Sequence, residues 1–568
     1  MYSMALRNAR PEAVISPSIA SAAAPFFLFV VAVLLFSLNL DRLPHPDELY
    51  QILAAEGLLA TGEPRIADGL YSRAYAQTWL IAQSLGLAGD TLAAARLSSV
   101  LSMATVTALL FLWLRPSAGA LAAWIAAVGF ALSPFTVQTA QFARIYGVQS
   151  LSFFLACAFT YLALSRPTDD GFRSHWRWRL ALLASAALSL ALALHLQPTT
   201  LFGLLGLTLW SAGVVALPWL RDPLVPSRHK LLAVGACLLA GLTVLTIAWQ
   251  SGILLQLWHV YRSVPLFNEV NKDEVWFYHV WYSLMYPSLW PLTGILALVA
   301  LVKAPRPASL ALCVFGAGFV LNSLGGPKSM RYIAYAQPFL LALWGIGLAA
   351  LWSPLRRFLT SLPDRLDPVL PLPERWSRPV AVGLAAMALL FLLVANPASI
   401  RTATFLADVP VPGEQPNPDW PAAKPLLEPL TARVPVLVTT EELGALYYLG
   451  RFDVRFSPSK MHEFDGKHEF AADPRTGRAV ISTPEALQLL FQCFEEGLLV
   501  IPSRQWNREH ILSESVRELI LDSTQPVPLP QRTRILAYTW QRPKEAARPA
   551  ECTAIPAMPG LAARVPGH

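Results

Sequence analysis

Long apolar runs with almost no charge constrain this chain more than any other feature of its sequence. Of its 568 residues, 54% are hydrophobic and 14% are charged, and its mean hydropathy is +0.45, which is too apolar for an ordinary soluble protein. A membrane-spanning helix needs about 20 mostly apolar residues. Candidate spans lie at residues 20–40, 91–114, 119–139, 147–165, 180–197, 200–218, 231–250, 284–302, 308–323, 332–352 and 380–396. The sequence therefore predicts a polytopic α-helical membrane protein with about 11 transmembrane helices.

The distribution of basic residues predicts how the chain crosses the membrane. The net charge is +7, but Lys and Arg fall mainly in alternate loops rather than in one patch, which argues against nucleic acid as a partner. With the N-terminus in the cytoplasm, the positive-inside rule assigns to that side Arg7, Arg10, Arg115, Arg166, Arg173, Arg177, Arg179, Arg221, Arg228, Lys230, Lys303, Arg306, Arg356, Arg357, Arg365, Arg375 and Arg378. The first apolar run has no clear cleavage site after it and is expected to remain as an anchor. We expect a multi-pass protein of a bacterial-type inner membrane, with its C-terminal region on the periplasmic side.

Two adjacent acids follow the first apolar run, within the sequence HPDE. If that run crosses the membrane, Asp47 and Glu48 lie at the outer interface, where a partly desolvated carboxylate can serve as a base. A proline followed by acids is also an ordinary helix start, and these residues alone do not decide between the two interpretations. The next residues, 49–59, have helical apolar spacing and predict an amphipathic helix in the interface that ends at Gly62.

Several cations and tyrosines are predicted on the same outer side as the acidic pair. They are Arg73, then Arg144 and Tyr146 at the start of the fourth span, and Lys328, Arg331 and Tyr332 at the start of the tenth. An arginine at membrane depth needs a partner, and a carboxylate or a phosphate would serve equally well. These residues are therefore candidates for binding a phosphate group, with structural ion pairs and interfacial anchoring as open alternatives.

The composition changes near residue 400, where prolines cluster and charges become common. We interpret residues 401–425 as a linker, 426–545 as a soluble extracytoplasmic α/β domain and 546–568 as a flexible tail. The elements predicted in this domain are strands at 434–440, 498–502 and 533–540 and helices at 484–497 and 507–521. No GxGxxG or P-loop pattern is present, so no nucleotide is expected.

The five cysteines are candidates for disulfide bonds or metal binding, and the acidic pair is a candidate for metal binding. Cys493 and Cys552 lie in the outer region, where a disulfide is permitted in an oxidising compartment, whereas the other three cysteines fall within spans as small apolar residues. No His/Cys spacing suits zinc. Asp47 and Glu48 offer oxygen ligands to Mg²⁺ or Mn²⁺, but two carboxylates make an incomplete site. The sequence therefore favours an activity that requires no metal or other cofactor.

Three motifs, taken in their order along the chain, resemble those of the GT-C membrane glycosyltransferases. They are HPDELY at 45–50, Ala143-Arg144-Ile145-Tyr146, and Lys328-x-x-Arg331-Tyr332 followed by Pro338. More narrowly, they are similar to the branch with the protein O-mannosyltransferases and the lipid A aminoarabinose transferase, glycosyltransferase family 39. The resemblance implies a GT-C transmembrane catalytic domain at 1–400, in which the outer loop 41–90 carries the acidic pair.

The resemblance also implies an activity: inverting transfer of a sugar from a polyprenyl-phosphate donor to an acceptor hydroxyl at the outer face of the membrane. By position, Asp47 corresponds to the catalytic base and Glu48 to its companion. The residues that fall where this family binds the carrier phosphate are Arg73, Arg144, Tyr146, Lys328, Arg331 and Tyr332. Residues 71–75 lack the Lys-Pro-Pro of the lipid A enzyme, and the C-terminal region does not resemble the β-trefoil of the protein mannosyltransferases. The acceptor, a lipid, a glycan or a protein, is therefore left open.

Two other classes of function are compatible with a polytopic protein of this size. One is a transporter or flippase of lipid-linked sugars, and the other is a membrane scaffold whose outer domain binds a partner. A transporter is expected to carry ionisable residues near the middle of its spans, whereas here the charges gather at the outer edge. The sequence therefore favours a glycosyltransferase, with a polyprenyl-phosphate-linked sugar and an envelope acceptor as its partners.

Overall fold

The computed structural model describes residues 19–165, 176–250, 275–366 and 396–553, apart from positions 222, 224, 225, 327, 410–416, 465–469 and 543–548, and some isolated positions within 251–274 and 379–391. A helical part comes first and an α/β part follows. The helices of the first part are α1 Ile19–Phe36, α2 Pro46–Thr61, α3 Tyr75–Ala88, α4 Leu92–Ala118, α5 Ala120–Ala131, α6 Pro134–Ala140, α7 Tyr146–Ser165, α8 Trp176–Leu196, α9 Thr200–Arg221, α10 Ser227–Gln250, α11 Phe277–Met285, α12 Thr293–Lys303, α13 Pro305–Leu324, α14 Gln337–Leu366 and α15 Pro397–Leu406. A 3-10 helix, Met330–Ala336, leads directly into α14.

Six helices among the described residues are long and apolar enough to cross a membrane. They are α4, α7, α8, α9, α13 and the continuous segment Met330–Phe358; the bent pair α5 and α6 adds a seventh if it is one broken span. The prediction of a multi-pass helical membrane protein is confirmed, whereas the count of about 11 spans is not confirmed. The predicted run 119–139 bends by 59° where α6 begins at Pro134. The predicted run 284–302 is not one helix: α11 ends at Met285, and α12 begins only at Thr293. The run 380–396 lies mostly outside the described residues.

Aromatic packing joins the helices whose ends carry the candidate residues. Trp113 of α4 meets Phe154 and Tyr161 of α7 and Phe339 of α14 in edge-on arrangements, with ring centroids 5.8 or 5.9 Å apart. Edge-on pairs are a favourable geometry for buried aromatic rings. This packing fixes α4, α7 and the start of α14 relative to one another.

The outer loop between α1 and α4 is folded. It contains α2, a hairpin of β1 (Arg65–Ile66) and β2 (Gly69–Leu70), and α3. The helix predicted at 49–59 is confirmed as α2, and Gly62 ends it in the left-handed conformation. One face of α2 packs against Ile81 of α3 and Leu443 of the C-terminal part, so this helix is held between other parts of the protein.

The C-terminal part is a sheet with helices on its faces. Its strands are β3 Val436–Thr439, β4 Val454–Phe456, β5 Phe470–Ala472, β6 Ala479–Ile481, β7 Glu496–Pro502, β8 Gln525–Val527 and β9 Ile535–Gln541. Its helices are α16 Trp420–Arg433, α17 Glu442–Leu449, α18 Pro458–Phe464, α19 Pro484–Cys493, α20 Ser503–Trp506 and α21 Glu514–Ser523. The strand order is β5-β6-β4-β3-β7-β9-β8. The central strands β6, β4, β3 and β7 are parallel, and the outer pairings are antiparallel.

Most elements predicted in this domain are confirmed. The predicted strands correspond to β3, β7 and β9, and the helix at 484–497 corresponds to α19. The helix predicted at 507–521 begins only at Glu514, because the Ser513 hydroxyl caps that start by accepting a hydrogen bond from the Val516 amide at 3.4 Å. Strands β4, β5 and β6 have three residues each and are too short to give a periodic signal.

The predicted boundaries of the linker and the tail need correction. Residues 401–406 belong to α15, where the Thr402 hydroxyl donates to the Leu132 carbonyl of the bundle at 2.8 Å. Helix α16 begins at Trp420, inside the predicted linker, and that side chain is buried in a core of the sheet domain. At the other end, Cys552 forms a disulfide with Cys493, so this part of the predicted tail is tied to the domain. Residues 554–568 lie outside the described residues.

The outer loop and the sheet domain meet through backbone contacts. The Asp68 amide donates to the Thr476 carbonyl at 3.0 Å and the Leu70 amide to the Pro474 carbonyl at 3.2 Å. A Cβ atom at Gly69 would lie 2.4 Å from the carbonyl carbon of Arg475, which is a backbone atom that cannot rotate away. Glycine at position 69 therefore permits this close approach.

We expect Gly69→Ala to weaken the docking of the two parts, because the added methyl group overlaps backbone. The cost should be about 1–3 kcal/mol, as for other overpacked sites, measured as a lower thermal unfolding midpoint in detergent and faster proteolysis between the two parts. Gly86→Ala in α3 is the matched control, since the nearest atom to its Cβ would be a Leu59 methyl at 3.8 Å. Equal stability of the two variants would contradict the close approach.

Candidate active site

Glu48 forms a buried ion pair that anchors the start of α2. The Arg96 guanidinium of α4 donates from Nε to Oε2 and from Nη2 to Oε1, both at 2.8 Å. The amide of Ala143 donates to Oε2 and that of His45 to Oε1, both at 2.9 Å. The Glu48 and Arg96 side chains are 3% and 0% exposed, so the pair is sealed from solvent.

The capping of α2 explains why Glu48 lies there. The His45 side chain accepts from the Asp47 amide while Glu48 accepts from the His45 amide, which is a reciprocal capping box with Pro46 in the first turn. The helix-start interpretation therefore applies to Glu48. Sequence reasoning missed Arg96, although an arginine inside an apolar run is itself a signal that a buried partner exists.

Asp47 points away from this pair, toward the candidate cations. Its Oδ2 accepts a hydrogen bond from Arg331 Nη1 of the 3-10 helix, and both side chains are about a third exposed, 30% and 32%. Burial opposes ionisation of the Asp47 carboxyl, but the charge of Arg331, with smaller effects from His45 and Arg144, holds the pKa of this group well below its usual range. Asp47 is thus an ionised, accessible carboxylate in an ion pair.

A second arginine and two tyrosines surround this ion pair. Arg144 is buried and donates from Nη1 to the Tyr71 hydroxyl at 3.2 Å. The rings of Tyr146 and Tyr332 lie with their centroids 5.8 and 5.9 Å from the Arg331 guanidinium carbon, within the range of cation–π attraction. These contacts bring together Asp47, Arg144, Tyr146, Arg331 and Tyr332. The sequence predicts all five on the same side of the membrane, which agrees with this cluster.

The remaining two candidates make contacts of their own. Lys328 is buried and donates from Nζ to the Gly325 carbonyl at 2.6 Å. Arg73 donates from Nη2 to the Gln197 side chain at 3.3 Å, where the loop after α8 begins. Neither of these contacts is to Asp47, so they do not bring Lys328 or Arg73 into the ion pair.

The described residues contain no group of three or more His, Cys, Asp or Glu side chains that could hold a metal ion. Positive charge next to Asp47 comes instead from Arg331 and Arg144. Guanidinium groups bind carboxylates and phosphates through paired hydrogen bonds. The arrangement can therefore hold a base and a phosphate side by side.

Two solved structures are similar to most of this chain. ArnT from Cupriavidus metallidurans, bound to undecaprenyl phosphate, has 16% identity and a TM-score of 0.59, over 91% of this chain and 98% of that chain. The archaeal oligosaccharyltransferase AglB from Archaeoglobus fulgidus, in complex with an inhibitory peptide and a dolichol-phosphate, has 13% identity and a TM-score of 0.57, over 90% of this chain and 73% of that chain. This chain has the GT-C fold. No protein-family model matches the sequence, and no curated protein matches it.

The similarity confirms the fold that the three motifs implied and extends it. The motifs lie within residues 1–400, whereas the match to ArnT covers 91% of the chain and so includes much of the C-terminal sheet domain. In this chain both the sheet domain and the helical bundle pack against the outer loop.

We expect Arg96→Met to destabilise the protein strongly, because Glu48 would be left buried without its cation. Breaking a buried pair in this way costs about 3–5 kcal/mol, and thermal unfolding in detergent should show a large fall in the midpoint. Arg65→Met is the control: its ion pair with Glu63 is about half exposed, so its loss should cost about 1 kcal/mol or less. Similar midpoints for the two variants would contradict the structural role of Arg96.

Proposed function

We propose that this protein is an inverting glycosyltransferase that moves a sugar from a polyprenyl-phosphate donor to an acceptor hydroxyl at the outer face of a bacterial-type inner membrane. The observation that carries the proposal is the accessible Asp47 carboxylate paired with Arg331 and lying beside Arg144. The fold supports it, because ArnT and AglB were solved with undecaprenyl phosphate and dolichol-phosphate. The acceptor is a lipid, a glycan or a protein of the envelope.

In the proposed reaction Asp47 is the base. It takes the proton of the acceptor hydroxyl as that oxygen bonds to the anomeric carbon of the sugar. The bond from this carbon to the phosphate oxygen breaks, and its electron pair leaves with the polyprenyl phosphate. The donor is a phosphodiester with one negative charge, and the leaving monoester carries nearly two. Arg331 and Arg144 therefore bind the departing group more tightly than the donor, which favours the transition state.

The ion pair also links donor binding to the strength of the base. A donor phosphate competes with Asp47 for Arg331, because guanidinium binds both groups in the same way. When Arg331 turns to the phosphate, Asp47 loses the neighbour that lowers its pKa, while burial continues to raise it. Asp47 becomes a stronger base only when the donor is in place.

Glu48 has a positioning role in this proposal. Both of its oxygens are occupied by Arg96 and by backbone amides, so it is not available to attack the sugar. A retaining mechanism would need a second accessible carboxylate to form a covalent intermediate, and the described contacts of Glu48 argue against it in that role. The positive charge of two arginines serves the leaving phosphate, so the proposal requires no metal ion.

The orientation also belongs to the proposal. The Cys493–Cys552 disulfide favours an oxidising, extracytoplasmic location for the sheet domain. Because this domain packs on α2, Asp47 lies on the same side of the membrane, and the N-terminus is cytoplasmic by the positive-inside rule.

We expect Asp47→Asn to lower the transfer rate by at least about 100-fold, because general-base catalysis contributes that much or more. Mass spectrometry of envelope lipids, glycans and glycoproteins should find a sugar missing from one acceptor class and the donor accumulated. Asp522→Asn, the same change at an exposed position of α21, is the control. Unchanged transfer at equal expression would overturn Asp47 as the base, and movement of a labelled carrier across vesicles without transfer would favour a flippase.

We expect Arg331→Gln to raise the KM for the donor by at least about 10-fold, since a hydrogen bond to a charged group is worth about 1.5–3 kcal/mol. The rate at saturating donor should fall as well, because the leaving phosphate loses a cation. Steady-state kinetics with purified donor measure both, with Arg65→Gln in the exposed pair to Glu63 as the control. A KM and a kcat equal to those of the wild type would show that Arg331 does not bind the donor phosphate.

A further inference from the structure

The sheet domain contains a cavity, lined by both polar and apolar side chains, that the proposed mechanism does not use. It lies at the carboxyl ends of the parallel strands β4, β3 and β7, and its volume is about 180 Å³. The polar residues that line it include Thr440, Arg455, Ser457, Ser459, Lys460 and Gln505. From β3 the chain proceeds to β4 and β6 on one side and returns to β7 on the other. Ligands of open α/β sheets bind in the crevice at such a change of direction.

The cavity wall contains buried polar atoms with unused hydrogen-bonding capacity. Thr440 is 4% exposed, and its hydroxyl has no hydrogen-bond partner among the described residues; the same is true of the side-chain oxygen of Gln505. The hydroxyls of Ser457 and Ser459 are also buried and lie 3.2 Å from each other. Buried polar groups of native proteins are nearly always paired, so these atoms indicate a polar ligand.

The charge of the wall favours an anion. Arg455 and Lys460 line the cavity, and none of the described residues that line it is acidic. Two carboxylates outside this lining lie near Arg455: Glu442 Oε1 is 2.6 Å and Asp473 Oδ2 is 3.9 Å from its Nη1. Cations and hydroxyls on one concave surface fit a phosphate ester or a carboxylate, which accept hydrogen bonds from both.

The wall of this cavity is connected to the helix that carries Asp47. Glu442, which pairs with Arg455, accepts a hydrogen bond from the Tyr50 hydroxyl at 2.9 Å. Tyr50 follows Asp47 by three residues, which is about one turn of α2. Through this contact the carboxyl edge of the sheet lies next to α2 of the outer loop.

We propose that this cavity binds an anionic group, a phosphate ester or a carboxylate, of the acceptor and so presents the acceptor to Asp47. The inference that the bound molecule is the acceptor rests on the proposed glycosyltransferase function. The binding of an anion in the cavity does not. The cavity thus gives the sheet domain a role in choosing the acceptor, and it restricts the substrate class to acceptors with a negative charge.

Binding is tested first, with full-length protein in detergent and inorganic phosphate or acetate as the probe, by calorimetric titration. The titrations use the Arg331→Gln background so that the donor site contributes little. We expect saturable binding of at least one anion, weakened at least tenfold by Lys460→Met and by Thr440→Val. Lys424→Met, at an exposed lysine of α16, should leave binding unchanged. A preference for phosphate or for acetate identifies the group; the absence of binding, or equal binding in all variants, overturns the site.

Transfer kinetics then test the link to the acceptor. In the otherwise native protein, Lys460→Met should raise the KM for the acceptor about tenfold and leave kcat and the donor KM unchanged. An unchanged acceptor KM in a variant that has lost anion binding would overturn the acceptor role. Asp47→Asn keeps the two proposals apart: it should abolish transfer and retain anion binding, and normal transfer by this variant would refute the proposed base without affecting the binding result.

Discussion

The buried ion pair between Glu48 and Arg96 is the interaction on which the candidate site depends. A charge sealed from water is costly unless it is paired and hydrogen-bonded, and here every oxygen of Glu48 has donors. Because Arg96 belongs to a helix of the bundle and Glu48 to the first turn of α2, the pair fixes the outer loop on the membrane part. This fixes the orientation of Asp47, one residue earlier, which pairs with Arg331.

Two adjacent acids thus have opposite environments. Glu48 is enclosed and both of its oxygens are occupied, while Asp47 is a third exposed and pairs with Arg331. The difference comes from helix geometry, since successive residues point about 100° apart around the axis. The same peptide therefore supplies both the structural support and the proposed base.

Much of this organisation is predictable from the sequence, and the failures have physical causes. The apolar runs, the helix at 46–61 and the meeting of Asp47 with Arg144 and Arg331 follow from hydropathy, capping residues and the positive-inside rule. The ion pair of Glu48 with Arg96 does not, because an arginine in an apolar run indicates a buried partner without identifying which carboxylate it is. The predicted bounds of the linker and the tail differ from those in the structure because Trp420 and Cys552 are held by tertiary contacts within the sheet domain. The proline content of a segment does not reveal such contacts.

The hairpin contacts between residues 68–70 and 474–476 have a consequence for how the protein is made. These backbone hydrogen bonds join segments roughly 400 residues apart, and a ribosome adds about 5–20 residues per second. The outer loop therefore waits about 20–80 seconds after its own synthesis for its partner. The loop completes its surroundings only after the sheet domain has been made and folded. A truncated or stalled chain lacks that partner, so incomplete copies do not assemble the complete candidate site.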